Sequence, residues 1–252
     1  MARVLLPLPD HDFDVTEVAV PWKLLSDAGH DVVFATERGA AGEAPAADPL
    51  LLSGVVFGRL GAAAEPAEWY AAMTKSREFQ RPMLWSSIEP HQFDGLLLPG
   101  GHAPGMRQYL GSADLQDKVA AFWALGRPVG AICHGVLLLA RAMGSDGRSP
   151  IHDKRTTCLP KYLERSAFFL TAWRRGRYYR TYPAYVETEV RTALDSPAQF
   201  VRGPRAGTVR GTATDDTHAF VVEDGNYVSA RWPGDAYLFA RTFIGKLSSG
   251  SQ

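Results

Sequence analysis

The chain has 252 residues, 46% of them hydrophobic, with 27 Lys plus Arg against 27 Asp plus Glu and two cysteines. That length and apolar share suit one large α/β domain or two small ones with a sizeable core. Balanced charge leaves no electrostatic footprint for nucleic acid or an acidic membrane, two cysteines make no disulfide framework, and no run approaches the about 18 apolar residues of a membrane span, so a cytoplasmic protein without nucleic-acid or membrane partners is expected.

In chain order, residues 2–8 predict a strand and 16–28 a helix, with Val18, Val20, Leu24 and Leu25 on one side before Gly29 ends it. His30 to Thr36 reads as the next strand. From about 38 to 90 the chain is rich first in Ala, Gly and Pro and later in aromatics, with helical pieces expected around 65–80. Phe93 to His102 is a buried strand running into a Gly-Gly turn, and a helix follows over 113–125. A strand then passes through Ala131-Ile132 into Cys133-His134-Gly135 and an apolar helical run to about 143. Lys154 to Leu159 predicts a strand, Ser166 to Tyr185 is aromatic and basic, and Thr217–Val222 with Tyr227–Ala230 predict a hairpin around Glu223-Asp-Gly-Asn226. Pro233-Gly-Asp opens a last helix to about Lys246, and 247–252 read as a small polar tail.

Strands alternating with helices predict a three-layer α/β sandwich of flavodoxin-like type, a mostly parallel sheet with helices on both faces. No internal repeat or linker marks a boundary, so a single domain over 1–252 is expected, with an insertion at about 165–190. In such sheets the site lies beyond the C-terminal strand ends. Gly100-Gly101-His102 and Cys133-His134 both fall at such ends, and the two are expected to meet in one crevice.

A lone cysteine is most often core. Here the apolar strand, the glycine after His134 and the apolar helix give Cys133 the form of a nucleophile elbow, whose apex side chain enters a pocket near the positive end of a helix. Helix N-termini and imidazoles favour the anion, so the thiol pKa is expected to fall from its free value of about 8.5. His134 and His102 are the candidate proton carriers. The backbone amides of Gly100, Gly101 and His134 are candidate donors to a developing oxyanion. Asp10-His-Asp-Phe-Asp14 is dense in metal-ligand types, yet without a second histidine pair nearby it reads as a solvated loop, and no metal is expected.

These residues resemble the DJ-1/PfpI superfamily, and within it the Hsp31-like branch. Ala131-Ile-Cys-His-Gly135 is similar to its cysteine elbow, Leu98-Pro-Gly-Gly-His102 to its glycine loop, and Asp14-Val-Thr-Glu17-Val-Ala-Val-Pro21 to its first loop and helix. The resemblance implies that Glu17 is the carboxyl partner of Cys133. By the spacing of Thr157-Cys-Leu-Pro-Lys-Tyr-Leu-Glu164, it implies that Glu164 orients His134. It further implies a homodimer and a cofactor-free enzyme acting on a small reactive carbonyl, as in the glutathione-independent glyoxalase III conversion of 2-oxoaldehydes to 2-hydroxy acids. A hydrolase or lyase on a larger aromatic metabolite and a redox-sensing or holdase-type stress protein are the alternatives. Class I glutamine amidotransferases share the fold but place His-Pro-Glu after the final strand, where this chain has Ala230-Arg-Trp-Pro-Gly-Asp235. Glutaminase chemistry is therefore disfavoured. The aromatic and basic stretch after Glu164 departs from the minimal family and reads either as a packed flap or as a cap over the crevice.

Overall fold

Short runs of buried aliphatic residues, too brief for helices, build the centre of the molecule. In the computed structural model, which describes residues 1–55, 61–180, 182–205 and 209–249, they form a sheet of seven strands. These are β1 (Arg3–Pro7), β2 (Asp31–Thr36), β3 (Met83–Leu84), β4 (Gly95–Leu98), β5 (Val129–Ile132), β6 (Val221–Asp224) and β7 (Tyr227–Ala230). Their order is β3-β2-β1-β4-β5-β7-β6. Every pair is parallel except β6 with β7. All residues of β4, β5 and β7 are buried, as expected where both faces of a parallel sheet are covered.

The helices that cover it are α1 (Val15–Asp27), α2 (Ala64–Met73), α3 (Ala113–Trp123), α4 (Val136–Arg141), α5 (Lys161–Arg175), α6 (Val186–Thr192) and α7 (Ala236–Ser249), with shorter turns between them. One group packs α1 against α2 and α7, and the other packs α4 against α3 and α6. The predicted three-layer arrangement is the observed one. Among the described residues no helix is long and apolar enough to cross a membrane.

Local chemistry explains where α1 starts, which matters because it carries Glu17. Asp14, in extended conformation, caps the helix by accepting from the N–H groups of Thr16 at 2.8 Å and Glu17 at 3.1 Å. The other acids of the same loop are also committed. Asp12 accepts from Gly105 N–H at 2.8 Å, and Asp10 accepts from the Gln108 amide at 2.8 Å and faces Arg38 at 3.3 Å.

Three expectations fail. The first strand of the hairpin, expected over Thr217–Val222, runs instead over Val221–Asp224, so that only Gly225 and Asn226 make the turn. Lys154–Leu159 forms no strand: Thr156 makes only an isolated bridge with Phe200. The position beside β5 is filled by β7, and β6 pairs on the far side of β7, so residues 156 and 157 meet β7 through side chains instead. Thr156 Oγ1 lies 2.9 Å from the Tyr227 hydroxyl, and Thr157 N–H donates to Ser229 Oγ at 2.9 Å. The final helix does not stop at Lys246 but continues to Ser249, with Leu247 buried in the core; the rest of the expected tail, 250–252, lies outside the described residues.

Gly135 shows how tightly the elbow is packed against β4. A Cβ added there would lie 2.1 Å from the carbonyl oxygen of Leu98 and 2.7 Å from that of Pro99. Backbone cannot retreat as a flexible side chain can. Gly135→Ala is expected to destabilise the fold by about 3 kcal/mol, read as a lowered urea midpoint at unchanged slope.

Candidate active site

The strand β5 delivers Cys133 directly to the start of the turn that leads into α4. Cys133 has φ +58°, a left-handed conformation that costs a non-glycine residue of order 1–3 kcal/mol and that surrounding structure must hold in place. The expected nucleophile elbow is therefore present in the backbone. The residue is 2% exposed, and its Sγ lies 3.5 Å from Nδ1 of its neighbour His134. At this turn adjacent side chains fold back on one another.

Glu17 reaches the same point from α1. It is buried, its Oε2 accepts from Gly100 N–H at 2.8 Å, and its carboxyl interacts with the Cys133 side chain. Its other oxygen, Oε1, has no hydrogen-bond partner among the described residues. Burial, reinforced by the Asp14 carboxyl nearby, pushes the Glu17 pKa well above the ordinary carboxylate range, so this group holds a proton and can donate it. Burial also pushes the Cys133 thiol up, and the carboxyls of Glu17 and Asp14 add to that, outweighing the His134 N–H, which favours the anion. The expected fall in thiol pKa is thus reversed. The helix end is present, but desolvation and two acidic neighbours dominate it. The imidazole of His134 is held neutral, its pKa lowered by burial and then by the cationic forms of His102 and Arg141. A neutral imidazole beside a protonated thiol is an acceptor for the thiol proton.

The glycine loop after β4 closes the site. His102 packs edge-on against His134 with ring centroids 4.5 Å apart, and burial lowers its pKa to about 4. Gly100, expected as an oxyanion donor, instead spends its N–H on Glu17. Gly101 lines the cavity, and its N–H donates to no backbone group among the described residues.

The sulfur opens onto a cavity of about 290 Å³ that also meets Glu17, Gly101 and His102. Its walls are mostly apolar, from Leu51, Val55, Leu159, Leu163, Leu170 and Trp232. Leu163 and Leu170 belong to α5, so the aromatic and basic segment after Glu164 roofs the cavity rather than lying flat elsewhere. Tyr179 joins it, with its ring 6.0 Å from that of His102 and its hydroxyl donating to Asp48 at 3.0 Å.

A family model described as ThiJ/PfpI family-like matches residues 8–204. The chain belongs to the ThiJ/PfpI family. A relative from Pyrococcus abyssi named a deglycase is 25% identical over 96% of this chain and 97% of its own length. One solved structure, also 25% identical, superposes over 99% of both chains with a TM-score of 0.73. The crystal structure of a glyoxalase III from Candida albicans shares the fold over 97% of both chains, at 19% identity and a TM-score of 0.68.

Within this ThiJ/PfpI chain the structure brings together Cys133, His134, Glu17, Gly101 and His102, but not Glu164. Glu164 is buried at the start of α5, where its Oε2 accepts from Val186 N–H at 2.9 Å and its Oε1 pairs with Arg180 at 3.2 Å. Both oxygens are thus occupied away from His134. Burial raises its pKa to about 7 despite those two partners. Glu164 thus ties the start of α5 to Arg180 and to the start of α6. Removing one partner of a buried pair strands the other, so Glu164→Ala is expected to cost about 3 kcal/mol of stability and to raise KM more than it lowers kcat, as read by thermal melting and steady-state kinetics.

Two wall residues, Arg210 and Trp232, were not singled out for binding in the sequence. Trp232 carried a weak signal, since it stands where an amidotransferase would place its His-Pro-Glu. Arg210 has no local pattern, and only the tertiary fold brings it to the cavity. At the amidotransferase position Arg231 and Asp235 form a buried ion pair instead, at 2.8 Å, which frames the loop and offers no imidazole.

Proposed function

We propose that the protein is a cysteine-dependent enzyme that converts 2-oxoaldehydes to 2-hydroxy acids without glutathione, as the Hsp31-like resemblance implied. The observation that carries this reading is the buried trio of thiol, neutral imidazole and protonated carboxyl, with Cys133 and Glu17 lining a mostly apolar cavity. In the first step His134 takes the thiol proton as Sγ bonds to the aldehyde carbon, and Glu17 protonates the resulting alkoxide. The Glu17 carboxylate then removes the proton from that carbon while the His134 imidazolium protonates the ketone oxygen, giving a neutral enediol. Glu17 returns its proton to the adjacent carbon, the former ketone, and takes the proton of the hydroxyl on the first carbon, which leaves a thioester on Cys133. Water cleaves the thioester, releasing the 2-hydroxy acid and restoring the thiol, so the net change is addition of one water.

The Pyrococcus abyssi relative named a deglycase supports an enzyme rather than a stress sensor. So does the thiol itself, because redox-sensing cysteines are solvent-accessible and of low pKa, whereas Cys133 is buried with its pKa raised. Assembly as a homodimer, common in the DJ-1/PfpI superfamily, belongs to the same reading, and a sedimentation mass of a single chain would remove it.

The test is lactate formation from methylglyoxal by purified protein in the absence of glutathione. In heavy water the lactate is expected to carry deuterium at C2 if the enediol proton exchanges. Methylglyoxal left unconverted by folded protein would overturn the proposal.

A further inference from the structure

The reaction at Cys133 leaves Arg210 and Trp232 unemployed in the cavity wall. Trp232 is held with care. It is extended at the end of β7, at φ −165° and ψ 171°, and the loop that follows is fixed by Asp235, which accepts from Arg231 Nε at 2.9 Å and from Phe220 N–H at 2.9 Å. The indole lies directly over Gly234, where a Cβ would come within 2.4 Å of Cζ2, so no larger residue there is compatible with this ring position. Yet Nε1–H, which is buried, has no acceptor among the described residues. A buried donor is seldom left unpaired.

Arg210 stands beside it, with its guanidinium carbon 5.9 Å from the indole centroid. It forms no ion pair among the described residues, and the carboxyl that feels its charge is Asp14, on which capping backbone N–H groups already converge. The two acids that share the cavity, Asp14 and Glu17, both have raised pKa values because they are buried. The wall therefore carries one guanidinium without an ion pair among the described residues, with the Trp232 ring beside it, in a space lined mostly by apolar side chains. The cavity of about 290 Å³ is also roomier than a three-carbon aldehyde requires, lying at the lower edge of the ~300–1,000 Å³ typical of small-molecule pockets.

We infer that Arg210, backed by the Trp232 ring, forms an anion-recognising subsite, and that the preferred substrate is a reactive carbonyl compound with an apolar body that also carries a carboxylate. The carbonyl end of this inference rests on the function proposed above, while the carboxylate end rests on the wall alone.

The test separates the two. In Cys133→Ser protein, which cannot turn over, 4-acetylbenzoate and its uncharged methyl ester are titrated by calorimetry. A charge-assisted hydrogen bond predicts that the carboxylate binds at least about tenfold more tightly than the ester. Arg210→Met is expected to bring that ratio to about one, and Arg210→Lys to keep part of it. With Arg210 intact, the ratio should also shrink as salt is raised, a readout that needs no folded Arg210 variant. Equal affinities, no binding of either probe, or a ratio that Arg210→Met leaves in place would overturn the subsite. A carboxylate preference in a protein that converts no 2-oxoaldehyde would keep the subsite and remove the carbonyl reaction. Turnover without the preference would do the reverse.

Discussion

Cys133→Ser is expected to lower the turnover of methylglyoxal by at least about a thousandfold, since loss of a covalent nucleophile disables the whole catalytic unit. The hydroxyl is similar in shape to the thiol, so the left-handed turn and the contact of Gly135 with β4 persist and the melting transition stays close to that of the parent. Lactate measured enzymatically, beside a thermal melt of the same sample, gives both readouts. Undiminished lactate from the folded variant would remove Cys133 from the chemistry. Intact mass spectrometry under turnover offers an independent view: an adduct confined to the peptide carrying Cys133 is expected with the parent and not with the variant.

Glu17→Gln is expected to lower kcat by about a hundredfold or more, the usual scale for losing a general acid or base, because the amide keeps the shape and the acceptor for Gly100 N–H but can neither lose nor gain the proton. The stability consequence has the opposite sign. The folded-state pKa of Glu17 is raised above the ordinary carboxylate value of 4.5. Its favourable contribution is therefore complete below that value and is lost as pH rises through the folded pKa, because the unfolded chain releases this proton to water while the buried group beside Asp14 keeps it. Gln has no such term. The melting temperature of Glu17→Gln minus that of the parent should grow as pH is raised from about 4.5 upward, so the variant is less active and, on the alkaline side, relatively more stable. A difference that stays flat or shrinks with pH would show that Glu17 is not held protonated.

The features that could be read from the sequence are those set by neighbours along the chain. The elbow is strand, Cys133-His134-Gly135 and helix in one stretch. The glycine loop is the end of a buried strand, and the cap of α1 is Asp14 three residues before Glu17. What escaped depends on residues far apart. Glu164 looked free to orient an imidazole because nothing nearby in sequence shows that Val186 N–H and Arg180 occupy both of its oxygens. Gly100 looked available for an oxyanion until Glu17 arrived from another element to take its N–H. The thiol pKa went the other way for the same reason: a helix end is visible in a sequence, whereas complete burial against two carboxyls is not. Residues 154–159 have strand composition, yet the sheet position they would need is already filled by β7.

The roof and the reactive centre come from separate stretches of chain. Leu163, Leu170 and Tyr179 roof the cavity from the stretch fastened by Glu164 and Arg180, whereas Cys133, His134, Gly101 and Glu17 stand on β5, the β4 loop and α1. What the pocket admits and what it does to its guest are thus written in different parts of the molecule. A chimera that exchanges residues 161–186 while preserving the clasp between Glu164, Arg180 and the amide at 186 is a direct route to new substrate ranges on an unaltered reaction.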